Sequence, residues 1–69
     1  MQAVVHIGER LKRVRLRRMY TQRELADEAG LSERAIVELE ANRREPRPAT
    51  LRKLVGALKV EPEDLIGED

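Results

Sequence analysis

A chain of 69 residues has room for one domain and one hydrophobic core, and the absence of cysteine excludes disulfide staples, thiolate metal sites and cysteine nucleophiles. The net charge of +1 hides a segregation: residues 1–60 carry all 14 bases against eight acids, a net of +6, whereas Glu61, Glu63, Asp64, Glu68 and Asp69 give the tail −5. Six bases between Arg10 and Arg18, with no acid among them, make a basic body that suits a polyanionic partner.

Hydrophobic spacing and capping residues predict helices throughout and no sheet, for the chain has no alternating strand pattern and no Asn-Gly or Asp-Gly hairpin turn. A first helix is expected over residues 6–18, with Ile7, Leu11, Val14 and Arg18 on one face and Gly8 weakening its start slightly. Thr21 opens a second helix over 22–29. Glu24 stands three residues later and completes a capping box, and Gly30 supplies a left-handed stop. Leu25, Ala26 and Ala29 form its buried stripe. After the short Gly30-Leu31 turn, Ser32 caps a third helix whose inward residues are Ile36 and Leu39. Arg34, Val37, Glu38 and Ala41 point outward, and Ser32 and Glu40 lie at the margins. Residues 42–47 read as a loop, and Pro48 suits the first turn of a fourth helix carrying Leu51, Leu54, Val55 and Leu58. A last short helix begins near Pro62, with Glu63 and Asp64 at its positive end and Leu65 and Ile66 as anchors.

Two short helices joined through a glycine turn make a helix-turn-helix, whose second helix fits the major groove of DNA. The unit spans about residues 21–41 of a single domain, 1–69. Its spacing is demanding: Ala26 must be small where the helices cross, Gly30 must allow the turn, and Leu25, Leu31, Ile36 and Leu39 must fill the wedge between them.

The segments IGERLKRVR, TQRELA, the E-x-x-RR-x-P exit and the closing VEPEDLI are similar to those of the Cro/C1-type (XRE) helix-turn-helix family, which includes phage repressors and many small bacterial regulators. The likeness runs over residues 7–66. It implies an all-α fold, a five-helix lambda-repressor-like DNA-binding domain. It also implies that Thr21 and Gln22, at the head of the second helix, lie against DNA, Gln22 on a phosphate. By the same likeness Ser32, Glu33, Arg34, Val37 and Glu38 face base edges, and Arg43, Arg44 and Arg47 grip phosphates. Arg15 is expected to pair with Glu40, and Leu65 and Ile66 to form a dimer contact. Three positions depart from the family pattern: Met19 replaces the glycine that closes the first helix, Arg47 replaces a serine cap, and Glu61 caps the last helix.

The two carboxylates on the reading face each suit two roles. Glu33 fits the positive end of its helix or a base contact, and Glu38 fits an ion pair with Arg34, four residues earlier, or an acceptor for cytosine N4. Arg34 fits guanine O6 and N7, and Val37 a thymine methyl.

Enzymatic chemistry finds no support: the glycines are scattered rather than gathered in a phosphate loop, no nucleophile has a base partner, and the single histidine, His6, cannot form a metal site alone. No cofactor or metal is expected. No apolar run approaches the ~20 residues of a membrane span, and residues 1–7 lack the form of a signal peptide, so a cytoplasmic protein is expected. Expected partners are double-stranded DNA, as a repressor on a palindromic operator, and a second copy of the chain. Without a separate sensor domain, no small-molecule effector is expected. Two other readings stay open: the antitoxin of a toxin–antitoxin pair, and a protein-interaction adaptor whose helix-turn-helix does not bind DNA.

Overall fold

The computed structural model describes residues 6–67, and every regular element among them is an α-helix: α1 (Gly8–Arg17), α2 (Gln22–Ala29), α3 (Glu33–Glu40), α4 (Pro48–Leu58) and α5 (Glu63–Ile66). Of the acidic tail, Glu68 and Asp69 lie outside these residues. Helix α2 packs on α3 and on α4, while α1 packs on α3 and α5.

The helix starts follow from side-chain chemistry. The Thr21 hydroxyl accepts the Glu24 amide N–H at 3.0 Å, and the Glu24 carboxylate accepts the Thr21 amide N–H at 2.8 Å, so two of the four unpaired N–H groups of α2 are satisfied reciprocally. Ser32 does half of the same at α3, accepting from the Ala35 amide at 3.0 Å. Gly30 ends α2 at φ 71°, a left-handed conformation that glycine alone adopts without strain from a Cβ. Pro48 opens α4, where its missing N–H costs nothing, but Arg47 before it makes no side-chain capping bond. At α5 the expected cap, Glu61, is instead the recipient: its backbone N–H donates to the Asp64 carboxylate at 2.9 Å.

The core is aliphatic: Ile7, Leu11, Val14, Leu25, Ala26, Ala29, Ile36, Leu39, Leu54, Leu58 and Leu65 are buried, with Tyr20, Leu31, Leu51, Val55, Ala57 and Val60 half-buried around them. Ala35 is also buried, beyond the inward pair expected for α3. One expectation for α1 fails. The helix stops at Arg17, one residue early, and Arg18 is exposed, its guanidinium donating to the Lys59 carbonyl at 3.1 Å. Gly8 costs the helix some intrinsic propensity, but its place is one that a side chain would not fit. A Cβ there would stand 2.7 Å from the Asn42 side-chain oxygen and closer still to the Glu40 carbonyl, so only glycine lets α1 approach the end of α3.

Met19 takes the left-handed backbone (φ 63°) that the family pattern assigns to glycine, with its side chain 87% exposed. The chain therefore accepts a conformation costing about 1 kcal/mol rather than lengthen α1. Asn42 and Lys59 are also left-handed, ending α3 and α4.

Candidate nucleic-acid interface

The outward face of α3 is built by the turn that precedes it. Leu31 sits half-buried on the core, and Ile36 and Leu39 are buried. Burial of that stripe turns Ser32, Glu33, Arg34 and Val37 outward, all exposed. Thr21 and Ser32 spend hydroxyl lone pairs on capping but keep their O–H donors, which is what a phosphate oxygen would accept.

One buried ion pair ties the unit together. Arg15 Nε donates to Glu40 Oε2 at 2.5 Å and Nη2 to Oε1 at 3.1 Å, with the two side chains only 8% and 6% exposed. The third guanidinium nitrogen, Nη1, donates to the Tyr20 carbonyl at 2.8 Å, pinning the turn between α1 and α2. Gln22 Nε2 donates to Glu40 Oε1 at 3.0 Å. A single carboxylate thus gathers donors from α1 and α2 onto the last residue of α3. The geometry is bidentate and no buried polar side-chain atom is left unpaired among the described residues, which are the conditions under which mutual attraction can offset the loss of hydration. Gln22 keeps one N–H free of this bond, and that is the group able to reach a phosphate.

Glu38 pairs with Arg34, Nε to Oε2 at 3.2 Å, but it meets Arg44 more fully: Nε and Nη2 both donate to Oε1, at 3.0 and 2.6 Å. Hydrogen bonds from Arg44 and then Arg34 hold its carboxyl below the ordinary range. The reach of Arg44 back to α3 was not visible in the sequence, because residues 38 and 44 belong to different elements and the left-handed Asn42 sets the path between them. Arg43 and Arg47 are exposed and make no side-chain hydrogen bond or ion pair among the described residues. Asn42 itself was missed: its side-chain oxygen accepts the Gly8 amide N–H at 3.0 Å. An asparagine just past a helix end is a recognisable left-handed signal, though its partner 34 residues earlier is not.

Leu65 and Ile66, expected together at a dimer contact, part company. Leu65 is wholly buried in the core, while Ile66 is 42% exposed. Leu65 closes the domain's own core, so it has no surface to give a second copy. No group of three or more metal-ligating side chains is found among the described residues, and no helix there is long and apolar enough to cross a membrane.

Comparison with known proteins places this geometry. The family model described as helix-turn-helix, HTH_3, matches residues 11–65. The immunity repressor protein of Bacillus phage phi105 is 35% identical over 63 residues, covering 91% of this chain; the chain spans 44% of that repressor's length. Among solved structures, the restriction-modification controller protein C.AhdI of Aeromonas hydrophila is 31% identical with a TM-score of 0.84, over 90% of this chain and 94% of that one. The P22 c2 repressor, in complex with a synthetic operator, is 32% identical with a TM-score of 0.81, over 90% and 96%. The five-helix, lambda- and P22-repressor-like fold and the match along most of its length make this chain a member of the helix-turn-helix family HTH_3.

Proposed function

We propose that the protein is a sequence-specific double-stranded DNA-binding transcription regulator, a repressor, that acts as a homodimer on a palindromic operator. The observation that carries this reading is the outward face of α3. It is held by a buried ion pair to α1 and a hydrogen bond from Gln22 of α2, is exposed at Ser32, Glu33, Arg34 and Val37, and is followed directly by Arg43, Arg44 and Arg47. Likeness to a phage immunity repressor and to a repressor bound to a synthetic operator supports it.

In this reading α3 enters the major groove, Arg34 addresses guanine O6 and N7, and Val37 packs on a thymine methyl. Thr21, Gln22, Arg43 and Arg47 meet phosphates and fix the register. One such helix covers only a few base pairs, so two copies, their α3 helices about 34 Å apart, read successive major grooves of one face of the duplex. Of the residues named for a dimer contact, Ile66 has the exposed surface for it.

Selection of bound duplexes from a random pool, followed by titration of the selected sequence, tests the proposal. A selected sequence with two inverted half-sites about one helical turn apart, bound by two copies, is the expected result. Enrichment of no sequence at low salt would overturn it.

A further inference from the structure

We propose that Glu38 is a specificity-determining residue: by holding Arg34 and Arg44 it penalises binding to any DNA that offers only phosphates. The inference rests on the DNA-binding reading above and assigns a role to one residue within it.

The argument begins with charge. Helix α3 carries Glu33, Glu38 and Glu40 against a single base, Arg34. Glu40 is neutralised internally by Arg15. On the outward face, both oxygens of Glu38 are engaged: Oε1 accepts two N–H groups from Arg44, and Oε2 accepts one from Arg34. Glu38 is itself 27% exposed, standing where a groove would close over it. Two of the guanidinium groups nearest the reading face are therefore already bound to an anion.

Consider a duplex of arbitrary sequence. For Arg44 or Arg34 to reach a phosphate, it must leave the Glu38 carboxylate, and one anion is exchanged for another with little net gain. The released carboxylate then faces a polyanion without a donor, and a charge left in that state carries a large desolvation cost. A cognate site removes the cost. A cytosine N4 or adenine N6 amino group opposite Glu38 supplies the donor that the arginines withdraw, and these are free to bind guanine or phosphate. The same carboxylate thus depresses sequence-neutral binding and spares the matching sequence. A salt bridge that merely braced Arg34 and Arg44 for their contacts would do the reverse, aiding binding to every duplex.

The experiment compares the wild type with Glu38→Gln and Glu38→Asp on two duplexes, a scrambled one and the best one selected from a random pool, across a salt series. The expected result for Glu38→Gln is tighter binding to the scrambled duplex, by about three- to tenfold. Its slope of log K against log salt on that duplex becomes steeper by about 0.9 for each arginine that gains a phosphate. The ratio of selected to scrambled affinity falls, and Glu38→Asp, which keeps the charge but is one methylene too short to hold both arginines, falls between the wild type and Glu38→Gln. Wild type and Glu38→Gln binding the scrambled duplex equally, or Glu38→Gln binding it more weakly, would overturn the inference while leaving DNA binding intact. Binding of neither protein to either duplex at low salt would overturn both readings together.

Discussion

Asn42 closes the start of α1: its side-chain oxygen accepts the Gly8 amide N–H at 3.0 Å, across 34 positions of the chain. Gly8 is the first residue of α1 and Ile7, before it, offers no capping side chain, so the cap comes from the loop after α3 instead. The contact depends on two backbones coming close, which Gly8 permits, and on Asn42 adopting φ 59°. Gly8→Ala is expected to destabilise the fold by about 1–3 kcal/mol through overpacking. Asn42→Gly loses the cap but keeps the easy left-handed backbone, whereas Asn42→Ala loses both and should cost about 1 kcal/mol more. Urea denaturation of the three variants measures this order. Equal losses for Asn42→Gly and Asn42→Ala would mean that the backbone conformation there carries no cost.

Arg15 and Glu40 are buried together, so removing either leaves a charge without its partner. Arg15→Ala or Glu40→Ala alone should cost about 3–5 kcal/mol. The double variant should cost clearly less than the sum, since neither charge is then stranded. Gln22 shares Glu40, so Gln22→Ala should couple to Glu40→Ala as well, more weakly. Additive losses in the first cycle would contradict the bidentate geometry.

Met19 holds a left-handed backbone with an exposed side chain that contributes little packing. Replacement with glycine removes the Cβ strain and is expected to raise stability by about 0.5–1 kcal/mol, partly offset by the greater freedom of glycine in the unfolded chain. A rise of a few degrees in Tm is the readout, and a fall would place Met19 in a contact that matters.

Arg43 and Arg44 are neighbours with different duties. Arg43 is unengaged among the described residues, whereas Arg44 is bound to Glu38. Arg43→Ala should weaken binding to all duplexes alike and lower the salt slope by about 0.9, as expected of a phosphate contact. Arg44→Ala should lower it less, because that guanidinium gives up an anion to reach another. Glu38 reports the same difference without DNA: its carboxyl, held low first by Arg44, should titrate closer to the ordinary carboxylate range in Arg44→Ala than in Arg34→Ala. Carboxyl chemical shifts followed through an acid titration measure it.

Leu65 and Ile66 separate core from surface within two residues. Leu65→Ala should cost about 2–5 kcal/mol, because the cavity opens in a fully buried site. Ile66→Glu should leave the monomer folded and shift sedimentation towards the monomer, if the exposed isoleucine serves association. An unchanged monomer–dimer equilibrium in Ile66→Glu would move the dimer contact elsewhere.

Much of this architecture was legible in the linear order of residues because it is local. Thr21 with Glu24, Ser32, Gly30 and Pro48 act on backbone groups within four positions of themselves, and such bonds need nothing from the rest of the fold. The stripes Ile7, Leu11, Val14 and Leu25, Ala26, Ala29 follow from helical periodicity alone, and all are buried. Arg18 shows where periodicity stops informing. It shares the angular position of Ile7, but α1 ends at Arg17 and the core has ended with it. What tertiary structure decided are the meetings between elements. They include the approach of Gly8 to Glu40 and Asn42, the reach of Arg44 back to Glu38, the sharing of Glu40 by Arg15 and Gln22, and the division of Leu65 from Ile66. Each depends on where two segments distant in sequence come to lie, and a helical pattern sets which face a residue occupies but not what stands opposite it.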